Sequence, residues 1–598
     1  MMASSVQPST AVGGWQQRIR PIPLGRLILA WLITLLVLLY AWGRTLVMWM
    51  LEGQADPWYL RLLLVGIIAV IALTWNLSAA WQRPGINRLV QWGVPLSWIG
   101  TGVVVVLTNT GNLFPKHYTM LIFVPATLWV LWLSWMFYQP IRWQYRLGVL
   151  ALCMVFLACC IGLLEVQGLT GDAKVNFAWR LQKNDGEISG PPTVTAKETV
   201  APAAPSQDDY PQFLGPQRLG IVPQARLTRD WKAHPPLELW RKSVGLGWSA
   251  FAVAGNRAIT QEQWGPKECV VCYRVSDGEI LWVHEDGTRF DSKMGGHGPR
   301  ATPTIADNRV YTVGATGILN CLDARTGKVI WTCDINKENN KDLAHHGVCG
   351  SPIIVDDKVI VCPTAADGIS LAAYHKDTGE RLWQGGLHQA SYGSPILTEI
   401  AGVRQILVYN SEGVTAHDPS TGGVLWDFAW TNGEKVNCSQ PIPHAGGPGR
   451  VFVSTGYDQG CALFQVERGA NDKWATPVPI WQNNKMKTKF TTAVIHDGCI
   501  YGLDEGILAC LDLETGKQLW KAKRYKHGQI LLAGSLLLIQ AEEGQVILGE
   551  PTRDEFRELG QIPALSNKTW NNPALAGRYL LVRNDREAAC YELQLEGE

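Results

Sequence analysis

Residues 321–331 read CLDARTGKVIW, and that phrase returns along the second half of the chain. It ends at Trp282 as CYRVSDGEILW, at Trp383 as AYHKDTGERLW, at Trp426 as AHDPSTGGVLW and at Trp520 as CLDLETGKQLW. A degenerate copy closes PVPIW at Trp481, and an earlier fragment closes PLELW at Trp240. A late fragment, EFREL, puts Leu559 where the Trp is expected. Successive copies lie between 39 residues apart (Trp520 to Leu559) and 55 apart (Trp426 to Trp481). That is the size of a four-stranded propeller blade.

The phrase has a local physics. Asp-x-x-Thr-Gly is turn chemistry: the Asp and Thr side chains bond backbone amides, and Gly supplies a positive φ. The flanking runs, such as IIVDDKVIVCPT and RVYTVGATGILNCLDA, are rich in Val, Ile and Tyr, as strands are. The Trp after each turn opens an outermost strand and is placed to pack between neighbouring blades. Counting the copies predicts eight blades. The final segment NPALAGRYLLVRNDREAACYEL holds three strands, and PLELWRKSV near Trp240 is a strand without its three partners. Joined, they complete one blade and remove two open sheet edges.

Upstream, the chemistry changes. Five apolar stretches are long enough to cross a bilayer: Leu27–Met48, Leu60–Ala80, Leu89–Leu107, Tyr118–Tyr138 and Leu147–Leu164. Arg18, Arg20 and Arg26 precede the first, Arg83 and Arg88 separate the second and third, and Arg142 and Arg146 separate the fourth and fifth. By the positive-inside rule the N-terminus is cytoplasmic and everything after the fifth span lies outside. The expected organisation is a five-helix transmembrane anchor over residues 1–168, a flexible Pro/Ala/Thr-rich linker over 169–207, and an all-β eight-bladed propeller over 208–598. The expected location is a bacterial inner membrane, with the propeller on its periplasmic side and the lipid bilayer as one partner. With 53 Lys and Arg against 52 Asp and Glu, the charge balance argues against a nucleic-acid partner.

Repeats of the form A-x-D-x-x-T-G-x-x-x-W resemble those of the PQQ-like (quinoprotein) propellers. Three further segments carry the same resemblance: DYPQFLGPQRLGI (209–221), GPRATPTIADNRVYTVGATG (298–317) and AGVRQILVYNSEGV (401–414). The resemblance implies one of two functional classes. In the BamB type the propeller is a protein-binding scaffold without a cofactor. In the quinoprotein dehydrogenases it holds PQQ and Ca²⁺ and oxidises sugars or alcohols, passing electrons to membrane quinone; the membrane-bound glucose dehydrogenases share the five-helix layout. Fold alone does not choose between them.

The loops leading into the innermost strands face one end of a propeller's channel. Here they contain Trp248, Arg300, His345 with His346, Tyr392, Asn437, Lys487 with Lys489, and Trp570 with Asn571. This set suits a peptide or protein partner, or an organic ligand that needs an aromatic wall and cations. It contains no carboxylate, whereas the dehydrogenases are implied to hold Ca²⁺ through Glu, Asn and Asp and to use a further Asp as base. No catalytic residue or metal ligand is assigned. Asp286, Asp291, Asp342 and Glu434 stand in nearby loops. Cys272, Cys321 and Cys510 occupy a repeat position filled elsewhere by Ala373 and Ala416, so a small buried packing role is expected. Cys269 and Cys272 fall on opposite faces of one strand and should not share a metal.

Overall fold

The computed structural model describes residues 155, 163–169, 175–179, 193–195 and 206–597, apart from 293–294, 339–344, 364–367 and 470. The five apolar stretches lie outside the described residues, save for Val155 and the last two residues of the fifth. Among the described residues no helix is long and apolar enough to cross a membrane.

Among the described residues, eight four-stranded antiparallel blades follow one another in chain order. Blade 1 runs from Ala252–Ala254 to Ile280–Asp286, blade 2 from Thr304–Ala306 to Val329–Asp334, and blade 3 from Ile353–Val355 to Arg381–Gly385. Blade 4 runs from Ile396–Ile400 to Val424–Ala429, blade 5 from Ile442–Pro443 to Val478–Asn483, and blade 6 from Val494–His496 to Gln518–Arg524. Blade 7 runs from Gln529–Ala533 to Phe556–Ile562. Blade 8 takes three strands, Ala574–Ala576, Tyr579–Arg583 and Glu587–Glu592, from the end of the chain and its fourth, Leu237–Ser243, from the beginning. Cys590 faces Trp240 and Tyr591 faces Glu238 across that junction, so the ring closes as the repeat count requires.

The core lies between the blades. Along Lys267–Arg274, residues 269, 271 and 273 pack toward blade 8, while 270 and 272 pack toward blade 2. Cys269 and Cys272 are therefore buried in different clusters, as the period of two demands. Cys272, Cys321, Cys510, Ala373 and Ala416 are all fully buried, and each sits opposite the Trp of its own blade.

The repeated phrase is an inter-blade clasp. Asp323 Oδ1 accepts from the amides of Arg325 and Thr326 and from the Thr326 hydroxyl, which folds the turn. The turn places Gly327 against Trp282 of the preceding blade, and Trp282 donates its indole N–H to Ala324 O at 3.0 Å. Trp240, Trp331, Trp383, Trp481 and Trp520 reach the next blade in the same way, onto Val275, Lys376, Pro419, Leu513 and Thr552. At Gly278 and Gly379 the φ is +69° and +74°, and a Cβ would stand 2.7 Å from the indole, so only Gly serves. Trp426 is the exception. Blade 5 has lost the Asp-x-x-Thr-Gly turn, and Trp426 donates instead to Gln405 Oε1 of its own blade at 2.6 Å.

One sequence expectation needs correcting. Leu559 does not take the Trp position of blade 7. The strand register puts Gly560 opposite Leu548 and leaves Leu559 in the bulge, and the buried Trp231 lies against Gly560 instead. The altered turn of this blade shifts the count by one. Upstream of the blades, Leu164–Leu169 and Val175–Trp179 pair antiparallel, which the alternation in LEVQGL favours, and Thr195 N donates to Ile280 O on blade 1. The unit that holds the blades starts at Leu163.

The segment Asp209–Val222 closes one end of the channel. Asp209 Oδ1 accepts from Gly255 N, and Tyr210 exchanges both backbone hydrogen bonds with Val253 on the inner edge of blade 1. Ile305 N of blade 2 donates to Pro211 O at 2.8 Å. Arg218 donates to Ser351 O and Pro352 O of blade 3, both at 3.0 Å. Leu219 packs on the clusters shared by blades 4, 5 and 6. Ile221–Val222 adds a parallel strand inside Gln529–Ala533 of blade 7, and Asp208 borders Gly577 of blade 8. The inner strands leave their channel-side N–H and C=O groups unpaired, and this segment satisfies many of them from below.

Candidate functional site

At the other end, a belt of hydroxyls ties one blade to the next. Thr302 Oγ1 accepts from Ala250 N, Ser351 Oγ from Thr302 N, Ser394 Oγ from Ser351 N, and Thr492 Oγ1 from Gln440 N. Two residues before each belt position stands the side chain that borders the mouth. Read around the ring, these are Trp248, Arg300, Cys349, Tyr392, Cys438 and Phe490, and by the same count His527 and Trp570 in blades 7 and 8.

The ring has two unlike halves. On one side Trp248 and Trp570 meet with centroids 4.9 Å apart, and Phe490 lies 5.0 Å beyond Trp570. His527 borders Phe490 at 5.8 Å. The Lys568 ammonium covers both indoles, 4.8 Å from Trp248 and 4.2 Å from Trp570. Burial lowers its affinity for its proton. Trp570 donates to Glu542 Oε1, and Trp248 donates to Gly295 O at 2.8 Å.

On the other side Arg300 lies 4.5 Å over the Phe290 ring and donates to the carbonyls of Gly295, Gly296 and Gly298. His346 packs edge-on to Tyr392 at 5.2 Å and to His345 at 4.8 Å. Burial, then His345 and Arg300, pushes the His346 imidazolium down to about 4, so the ring is neutral at pH 7. Burial lifts the Cys349 thiol to about 11, against the opposing pull of Arg300. It is a thiol, not a thiolate, at neutral pH. Lys489 lies 4.6 Å over the Tyr457 ring.

Three of the sequence candidates make scaffold contacts. Asn437 is fully buried and bonds Asn410 O, Thr431 and Thr455. Lys487 pairs at 3.0 Å with Asp504, a buried carboxylate that Lys521 also engages. Asn571 donates to Ser249 O at 2.8 Å, across the junction of blades 8 and 1. Cys349, Cys438, Phe490 and His527 were missed. Counting back two residues from the recurring pairs Thr302-Pro303, Ser351-Pro352 and Ser394-Pro395 would have found the ring register.

The donor set can be tested against PQQ with calcium, which the resemblance raised. Calcium takes six to eight hard oxygens. None of the eight ring side chains is a carboxylate, and among the described residues no three His, Cys, Asp or Glu side chains are placed to hold a metal ion. Asp286 is spent on Asn320 and His284, and Asp291 on Arg289 and His297. Glu434 is exposed, and Asp342 lies outside the described residues. Among the described residues, the donor set does not fit that pair.

The PQQ_2 family, described as outer membrane protein assembly factor BamB, matches residues 266–522. No curated protein matches. Among solved structures, BamB from Moraxella catarrhalis is 14% identical with a TM-score of 0.45, over 61% of this chain and 99% of its own. The quinohemoprotein alcohol dehydrogenase of Comamonas testosteroni is 13% identical with a TM-score of 0.41, over 65% of this chain and 81% of its own. A computationally designed protein, Ika8, is 12% identical with a TM-score of 0.42, over 60% of this chain and all of its own. The chain thus carries a PQQ-like, BamB-like repeat array in an eight-bladed propeller.

Proposed function

We propose that the propeller is a recognition module: its mouth binds a polypeptide partner, and residues 1–168 anchor it in a bacterial inner membrane with the propeller on the periplasmic side. The observation that carries the reading is the ring itself. Eight equivalent positions hold eight side chains of mixed aromatic, cationic and thiol character around a mouth whose far end the chain has closed with its own segment. Such a cup offers stacking surface and hydrogen-bond donors to a polypeptide. The anchor is supported by the five apolar stretches and by the Arg residues that alternate between their ends.

Two titrations of the full-length chain in detergent test this. An array of random octapeptides is expected to give saturable binding that Tyr392→Ala abolishes. PQQ with Ca²⁺ is expected to give no stoichiometric absorbance change and no dye-linked oxidation of sugars or alcohols. Stoichiometric cofactor uptake with turnover would overturn the recognition reading in favour of a dehydrogenase. Membrane fractions probed at an engineered cysteine in the propeller with an impermeant thiol reagent check the side on which it lies.

A further inference from the structure

Two guanidinium groups, one at the mouth and one on the segment that closes the far end, hydrogen-bond no carboxylate among the described residues. Every hydrogen bond of Arg300 goes to a backbone carbonyl, and among the described residues it forms no ion pair. Arg218, on the segment that closes the far end, is 1% exposed. It donates to Ser351 O, Pro352 O and Gln212 Oε1, while its Nε has no partner. A cation out of water with only neutral acceptors is costly, and burial pulls Arg218 down to about 9. Its acceptors lie two and three residues beyond Cys349, where the chain enters the inner strand of blade 3. Two charges thus stand at successive depths, one at the rim and one beneath it.

The same channel already binds polypeptide. Tyr210, Pro211 and Ile221–Val222 pair with the inner edges of blades 1, 2 and 7 as a peptide would. The Trp248–Trp570 pair adds an apolar wall beside Arg300, joined to it through Gly295, whose carbonyl both side chains share.

We infer that the mouth receives the C-terminal carboxylate of a polypeptide, held by Arg300 at the rim and drawn toward Arg218 below. The inference rests on the recognition reading above. It names the charged group that the partner supplies.

The test uses the full-length chain in detergent and the best octapeptide from the array, made as the free acid and as the C-terminal amide. Fluorescence anisotropy is expected to show the acid binding roughly tenfold to a hundredfold more tightly, the difference made by one charge-assisted hydrogen bond. In Arg300→Gln the acid should lose that advantage and bind like the amide, while Arg300→Lys should keep part of it. Acid and amide binding alike to the wild-type chain would overturn the inference and leave peptide recognition standing. Benzoate competing as well as the peptide would overturn the polypeptide assignment. No peptide binding at all to a folded chain would remove the recognition reading and this inference together.

Discussion

The two ends of the channel solve the problem of an open inner edge differently. At one end residues 208–222 run across the opening, and their backbone and side chains find partners on blade after blade. At the other, Trp248, Arg300 and Tyr392 bond mainly to their own or adjacent loops and leave ring faces and cationic groups turned to one another. The closed end therefore spends its chemistry on holding the blades. The mouth is free to vary its chemistry, because the hydroxyl belt beneath it already ties neighbouring blades together. Substitutions at the closed end should move stability, and those at the mouth should move binding.

Tyr210→Ala should have the largest effect. The side chain is 1% exposed and its ring lies against Gly215. Its loss should cost about 3–5 kcal/mol, as for other buried aromatics, read from the urea midpoint of tryptophan fluorescence. A loss below about 1 kcal/mol would break the comparison, since loss of a held plug is expected to be felt.

Next comes pH. Burial raises the Glu268 carboxyl to about 7, against the hydrogen bonds from Thr316 and Ala315 that favour its ionised form. The folded chain holds this proton more tightly than the unfolded chain. Its contribution is complete below the unfolded value of about 4.5 and is lost as pH rises through about 7. The loss is on the order of 3 kcal/mol. His346 has the opposite sign: its contribution is present above about 6.5 and lost as pH falls through about 4. Wild-type stability should thus change little from pH 5 to 6.5 and fall above that. In Glu268→Gln it should rise from pH 5 to 6.5 and then level off. Midpoints at pH 5, 6.5 and 8 check both curves.

The inter-blade clasp offers a finer contrast. In Trp331→Phe the abandoned acceptor, Lys376 O, still receives Arg309 and the Tyr311 hydroxyl, so the cost should be about 0.5–1 kcal/mol. In Trp426→Phe the buried Gln405 Oε1 loses its donor, and the cost should be about 1–3 kcal/mol. Equal costs would show that the departure in blade 4 carries no energetic weight. Tyr392→Phe should cost no more stability than Trp331→Phe, about 0.5–1 kcal/mol, while weakening peptide binding measurably.

The blades were legible because each repeat solves the same local problem: a turn needing Asp, Thr and Gly, a small residue, and a Trp opposite it. Even ring closure followed, since a lone strand near Trp240 and a three-strand remainder have one economical pairing. Leu559 misled because blade 7 lacks the Thr-Gly turn that keeps the register, so counting letters placed the wrong residue. The ring register was half legible. Trp248, Arg300, Tyr392 and Trp570 stand out as conspicuous side chains in the loops that enter the inner strands. Asn437 and Lys487 are equally conspicuous, but their contacts with Asn410 and Asp504 are ones that no local pattern announces.

What the amino-acid order determined by itself was the unit and its number, because turn chemistry and the period of two act over a dozen residues. What only the tertiary structure decided was which end of the channel closes, and with what. The segment DYPQFLGPQRLGI reads as an ordinary lead-in to the repeats. Its role as a plug arises because eight inner edges, distant in the chain, converge on one axis and present unpaired backbone groups to whatever lies there.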